Sequence, residues 1–226
     1  GNPFMDQVLT PLTPLPKCIM RLGLLPGSRR PELENNLLLM LRCIEFLVKD
    51  PHYIDDLNID LALVSSLENL YLEQIISDSD WKLKNSDDGT HLKQLCFHQY
   101  KINIRRNSFI EVLQSSDLLL SMAGTATEQA IGLGKPVVQI PGDGPQFTTG
   151  FAEAQRRLLG PTVFCAEGNT GEVKNLKQTA KLILEVFGLV QNDNAFNREC
   201  QLQAKNRLGV SGGVKSIANS ILQLHL

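Results

Sequence analysis

The feature that most constrains this chain is an apolar run, Cys18-Ile19-Met20-Arg21-Leu22-Gly23-Leu24-Leu25, cut off by Pro26-Gly27-Ser28-Arg29-Arg30-Pro31. An apolar run with two polar interruptions reads as a buried strand. Pro-Gly-Ser stops it, and Pro31 has the fixed φ that suits the first position of a helix. A strand turned sharply into a helix leaves free backbone N–H groups and the positive end of a helix dipole at one spot. With two guanidinium groups beside it in sequence, the expected guest is an anion, most simply phosphate. An ordinary strand-to-helix turn with solvated arginines has the same local pattern, so the rest of the chain must decide.

From there strands and helices alternate. A helix over Pro31–Val48 is followed by a strand over Ile59–Val64 and a helix over Leu67–Ile76. Asp87-Asp88-Gly89 marks a tight reversal between Trp81–Lys84 and Leu92–Phe97, a hairpin or two short strands. Lys101–Arg105 alternates like a strand, Asn107 or Ser108 caps a short helix through Ser115, with Ser108 and Glu111 spaced as a capping box, and Asp117–Met122 is a buried strand. It ends at Ala123-Gly124-Thr125-Ala126-Thr127-Glu128-Gln129, a second glycine turn entering a helix that runs to Leu133. A strand over Val137–Pro141, a loop from Gly142, a helix over Phe151–Leu159 and a strand over Thr162–Cys165 come next. Helices over Glu172–Phe187, Asn192–Arg207 and Gly213–Leu224 finish the chain. The last gathers Val214, Ile217, Ala218, Ile221 and Leu222 on one face and reads as ordinary core.

This order implies an α/β fold: a doubly wound, mainly parallel sheet flanked by helices, with ligands beyond the carboxyl ends of the strands. Prolines at 3, 11, 14 and 16 read as an extended linker or domain crossing without regular structure. The expected division is therefore 1–17 linker and 18–226 α/β domain. The opening Gly1-Asn2-Pro3 lacks the basic region of a signal peptide and suggests a fragment.

Composition removes several classes. An apolar content of 42% with 20% charged residues suits a globular core, and a net charge of −2 argues against a nucleic-acid protein. Cys18, Cys43, Cys96, Cys165 and Cys200 lie far apart with no C-x-x-C spacing, which reads as reduced, mostly buried thiols in a cytosolic protein. His52, His91, His98 and His225 show no metal-ligand spacing, so no metal and no cofactor are expected. A G-x-S-x-G elbow is absent, and neither glycine turn matches G-x-G-x-x-G or the P-loop pattern. No segment reaches the roughly 20 apolar residues that a bilayer span requires.

Crossovers of one hand make the loops after Cys18–Leu25, Asp117–Met122 and Val137–Pro141 open toward one rim. The first supplies Gly27, Ser28 and Arg29, the second Gly124, Thr125 and the pair Glu128-Gln129, the third Gly142 to Phe147. Together they suit a nucleoside diphosphate, phosphates at the helix N-termini and ribose hydroxyls on a carboxylate or amide. The purely structural alternative is that Thr125-Ala126-Thr127-Glu128 is only a capping box.

Leu24-Leu25-Pro26-Gly27-Ser28-Arg29 with Glu32 resembles the L-L-P-G-S-R-x-x-E segment of lipid-A-disaccharide synthases, and Ala123-Gly124-Thr125-Ala126 resembles their S-G-T-A turn. Gly1-Asn2-Pro3-Phe4-Met5-Asp6 is similar to the G-H-P-L-x-D stretch between that family's two domains. The resemblance implies the type B glycosyltransferase fold and its C-terminal, donor-binding half, with the N-terminal acceptor half missing. It implies donor phosphates on Gly27, Ser28 and Arg29, with Gly124 and Thr125 of the second turn beside them. The ribose contact falls on Gln129, with Glu128 one place early, where the family has an acid. The family's stretch after Pro141 is not recognisable; there Gln146 resembles glutamines that touch the sugar in the related transferase of peptidoglycan synthesis.

The resulting expectation is an inverting hexosyltransferase using a UDP-sugar donor and a lipid-linked acceptor, with the general base in the missing half and this half alone inactive. Such a protein would be cytoplasmic, with contact at the periphery of the inner membrane through the missing half. A UDP-N-acetylglucosamine epimerase-like enzyme and a degenerate, non-catalytic binding domain are the alternatives.

Overall fold

The computed structural model describes residues 3–13, 15, 16, 18, 20–86, 92–141, 154, 156–169, 171–209 and 211–224. The strands among them form one sheet: β1 (Met20–Leu25), β2 (Leu57–Leu63), β3 (Lys82–Asn85), β4 (Lys93–Phe97), β5 (Tyr100–Arg106), β6 (Leu118–Ser121), β7 (Val137–Gln139) and β8 (Val163–Cys165). Their order is β3-β4-β5-β2-β1-β6-β7-β8. β1 pairs in parallel with β2 and β6, and the parallel arrangement continues through β5 on one side and β7 and β8 on the other. β3 and β4 add an antiparallel edge, in the register Leu83↔Leu95 and Leu95↔Ile102. Gln94 and Asn103 share one face there and Leu95 and Ile102 the other, which is the alternation that fixes a register. The reversal at residues 87–89 lies outside the described residues.

The helices are α1 (Pro3–Val8), α2 (Glu32–Leu47), α3 (Asn69–Ile75), α4 (Phe109–Ser115), α5 (Gly124–Gly132), α6 (Val173–Asn192), α7 (Asn194–Gln203) and α8 (Gly213–Leu224), with a π turn over Ala204–Leu208. Residues 156–159 are also helical. α2 buries Leu33, Leu37, Met40, Leu41, Ile44 and Leu47, a helical stripe, and α6 presents Leu176, Ala180, Ile183 and Phe187 at the same spacing. These two helices and α3 cover one face of the sheet, meeting Leu22, Leu24, Ile59 and Leu61. Each such leucine contributes about 1.5–3 kcal/mol by leaving water. α1, α4, α5 and the π turn supply the second cluster, around Leu25, Leu119, Val137 and Val163. α6 runs past the expected end at Phe187 and stops at Asp193, whose carboxylate accepts from the N–H groups of Ala195 (2.8 Å) and Phe196 (3.0 Å) to start α7.

β1 is buried throughout because it is central. On the α4 side Gly23 has no room for a side chain: an added Cβ would stand 2.5 Å from both Leu119 Cδ1 and Ser116 Oγ. Arg21 is 2% exposed and forms an ion pair with Asp60, which is fully buried and also accepts from Arg105 Nε at 2.7 Å. The Arg21 guanidinium further donates to the Pro16 carbonyl, so the approach to β1 is fastened from inside the sheet.

Two expectations are corrected. Residues 3–8 are not extended but form α1, whose Met5 and Val8 are buried against α5; Pro3 is the first helical residue, where a missing N–H costs nothing. The apolar face of α8 is not core: Val214 (56%), Ile217 (51%), Ile221 (52%) and Leu222 (64%) are exposed. α8 is held at its start, where the Asp6 carboxylate accepts from the N–H groups of Gly212, Gly213 and Val214. These backbone hydrogen bonds, Val214's largest and then Gly212's, hold the Asp6 carboxyl below the usual carboxylate range.

Candidate functional site

Two strand-to-helix turns meet at the carboxyl ends of β1 and β6. Gly27 adopts φ +97, which a side chain would strain, and a Cβ placed on it would lie 3.7 Å from the Ala123 Cβ, so the turns touch. The Met122 N–H donates to the Leu25 carbonyl at 3.0 Å. Asn36, buried on α2, donates its side-chain amide to the Pro26 carbonyl at 2.8 Å and lies 3.4 Å from that of Met122. One side chain thus ties both turns to the same helix.

The turns form one side of a cavity of about 580 Å³. Gly27, Ser28, Arg29, Gly124, Thr125 and Gln129 all line it, so the structure brings these expected site residues together. Glu128 is half-buried and does not line the cavity. Gln146 and the loop 142–147 lie outside the described residues. The opposite wall comes from the ends of β2 and β5: Leu63, Val64, Ser65, Asn107 and Phe109. Sequence reasoning missed that wall and Asn36; a polar Asn36 on the apolar stripe of α2 was the one local signal.

Among the described residues, no acceptor engages the N–H groups of Ser28, Arg29, Gly124 or Thr125. α2 and α5 both begin here, so two partial positive charges and their amides open on one cavity. The capping box that was the alternative to a ligand site on α5 is not formed: Ala123 precedes the helix, and the Thr127 hydroxyl turns back to lie 2.9 Å from Ser121 Oγ and 3.0 Å from the Ala123 carbonyl. Ser108 likewise makes no side-chain cap.

The two arginines of the first turn are unlike. Arg30 donates to Glu34 Oε1 at 2.5 Å and lies 4.0 Å from the centre of the Tyr71 ring, and Tyr71 donates to the same carboxylate at 3.1 Å. The Glu34 hydrogen bond raises the Arg30 guanidinium above its ordinary range. Partial burial is the largest single influence and pushes the Glu34 carboxyl up, but the hydrogen bonds from Arg30, its own backbone N–H and Tyr71, with the Arg30 charge, together hold it below the usual range. Arg29 is exposed, lines the cavity and has no ion pair among the described residues. No group of three or more His, Cys, Asp or Glu among the described residues is arranged to hold a metal ion.

No protein-family model and no curated protein matches this chain. Solved structures do. A UDP-GlcNAc 2-epimerase from Neisseria meningitidis bound to UDP-GlcNAc matches with TM-score 0.52 at 17% identity over 90% of this chain and 45% of that one. Anabaena HepE in complex with UDP-glucose matches with TM-score 0.50 at 13% identity, over 90% and 49%. The spinosyn rhamnosyltransferase SpnG complexed with thymidine diphosphate matches with TM-score 0.50 at 13% identity, over 89% and 46%.

The fold is a Rossmann-like domain of the type B glycosyltransferase architecture. The chain spans under half the length of these proteins. No helix among the described residues is long and apolar enough to cross a membrane.

Proposed function

We propose that the cavity binds a UDP-sugar, and that the chain is the donor-binding half of an inverting glycosyltransferase with a lipid-linked acceptor, related to lipid-A-disaccharide synthases. One convergence supports this reading: the amides of two helix N-termini and the Arg29 guanidinium open on a cavity also lined by the apolar Leu63, Val64 and Phe109 and the polar Ser65 and Asn107. A diphosphate suits the paired N-termini. The base suits Leu63, Val64 and Phe109, with Asn107 and Ser65 for its polar edge, and the ribose reaches Gln129. An amide there donates to one hydroxyl and accepts from another, without the stronger bond of a carboxylate.

In the transfer step the bond between the sugar's anomeric carbon and the diphosphate oxygen breaks, and negative charge grows on the departing diphosphate. Arg29, the Ser28 hydroxyl and the N–H groups already aimed at that position stabilise it without reorganising. The acceptor hydroxyl bonds to the anomeric carbon and gives its proton to a base outside these residues. Peripheral contact with the cytoplasmic face of the inner membrane belongs to this same reading, through the acceptor half.

Titration calorimetry with UDP on the protein and on Arg29→Ala tests it: the variant binds more weakly, and equal affinity removes the phosphate role. A second reading, a UDP-N-acetylglucosamine epimerase, is favoured by the epimerase fold matches, one of them bound to that nucleotide. Product analysis of the full-length protein separates the two, since only the epimerase yields an isomerised UDP-sugar without acceptor. Binding of no nucleoside diphosphate at all would leave a degenerate binding domain, a reading that Gln129 favours.

A further inference from the structure

Among the described residues, the charged side chains that line the cavity are Arg29 and Glu32. Glu32 is the first residue of α2, one turn before Asn36 on the same side of the helix, and is half-buried at the mouth. The neighbouring carboxylate, Glu34, is taken by Arg30 and Tyr71. No hydrogen bond or ion pair among the described residues engages Glu32. A carboxylate in a first helical turn favours the helix dipole wherever it points; this one also faces the space where the amides and Arg29 would gather phosphate.

A cavity built only to bind phosphate would not place an unpaired carboxylate beside its arginine. Within that lining Glu32 offsets Arg29, so attraction of an anion rests on the amides of the two helix N-termini, about half a positive charge each, which a diphosphate already exceeds and a third phosphate exceeds further. An acceptor-only group at the mouth also needs donors, and the hydroxyls of a hexose supply them. We infer that Glu32 sets ligand specificity: its carboxylate accepts hydroxyl protons from the sugar beyond the diphosphate and repels a third phosphate in the same place. This rests on the reading of the cavity as a nucleoside diphosphate site. It combines an attractive and a repulsive element in one side chain, the usual way a site separates similar ligands.

The test is calorimetry of the protein with UDP, UDP-glucose and UTP, repeated on Glu32→Gln and Glu32→Asp. The protein is expected to bind UTP more weakly than UDP. Glu32→Gln should raise UTP affinity relative to UDP by roughly tenfold, the scale of removing one like-charge contact, and lower UDP-glucose relative to UDP. Glu32→Asp keeps the charge on a shorter stem, so it should still disfavour UTP while losing the preference for the sugar. A purely helix-stabilising role would lower the melting temperature of Glu32→Gln and leave all three affinity ratios unchanged, which overturns the inference. Should Glu32→Gln not fold, unchanged ratios in Glu32→Asp do the same. If the protein binds UDP and the ratios do not move, only the role of Glu32 falls; if it binds none of the three, the nucleotide reading falls with it.

Discussion

The carboxylate of Asp6 accepts the backbone N–H of Val214 at 2.9 Å, joining residues 208 positions apart. The same carboxylate takes the N–H groups of Gly212 and Gly213, so a side chain from the first helix caps the last one. Asp6→Ala should release α8 while leaving the sheet intact. Hydrogen exchange reads this directly, with faster exchange over residues 212–224 and unchanged protection in β1 and β6. Because the folded Asp6 carboxyl lies below its unfolded value of 3.8, its contribution is complete above that pH and disappears as acid takes it through the lower, folded value. Equal acid sensitivity of α8 in Asp6→Ala would contradict the assignment.

Arg29 and Arg30 are adjacent but differently committed. Arg30 is held by Glu34 and Tyr71, whereas Arg29 faces the cavity. Arg29→Ala should weaken UDP binding by about 10- to 100-fold, the scale of a lost hydrogen bond to a charged group at about 1.5–3 kcal/mol. Arg30→Ala should change it far less. Calorimetry on both variants checks the contrast, and equal losses would show that the pair acts as a diffuse positive field.

Asn36→Ala removes the donor shared by the two turns and leaves the Pro26 carbonyl unpaired in a buried place. The expected cost is about 1–3 kcal/mol in denaturant unfolding. UDP affinity should fall even after correction for the unfolded fraction, since both turns lose their common anchor.

Asp60→Asn leaves Arg21 and Arg105 facing a neutral amide inside the sheet. Breaking a buried ion pair by removing one charge costs about 3–5 kcal/mol. Urea titration should show a lower midpoint, by that free energy divided by the slope m, with little change in m itself.

The five cysteines give an inexpensive check on packing. Cys18 is exposed, while burial pushes the Cys43 thiol up to about 12 and the Cys200 thiol to about 11, the latter with help from Glu199. A raised thiol carries less thiolate at a given pH, so alkylation at pH 8 should mark Cys18 first and reach Cys43 and Cys200 only in urea. Prompt labelling of Cys43 in the folded protein would contradict the core described above.

The sheet was legible because its central strands are predominantly apolar runs between turn residues, interrupted only at positions such as Arg21 and Asp60, and a parallel order forces their turns onto one rim. α1 was not, because a proline count over seventeen residues hides the proline-free stretch from Phe4 to Thr10. The periodic face of α8 announced an amphipathic helix but carried no information about its neighbour. Within the site, the glycine turns and Arg29 could be found locally. Asn107 and Phe109 could not, since only the crossing of β5 beside β2 brings them opposite Gly27. Glu32 stood in the quoted motif, yet its lack of a partner is visible only in three dimensions.

Asn36 makes α2 a lever with two arms. Its one amide joins the helix to the carbonyls of Pro26 and Met122, so a displacement of α2 is expected to be felt by both turns at once.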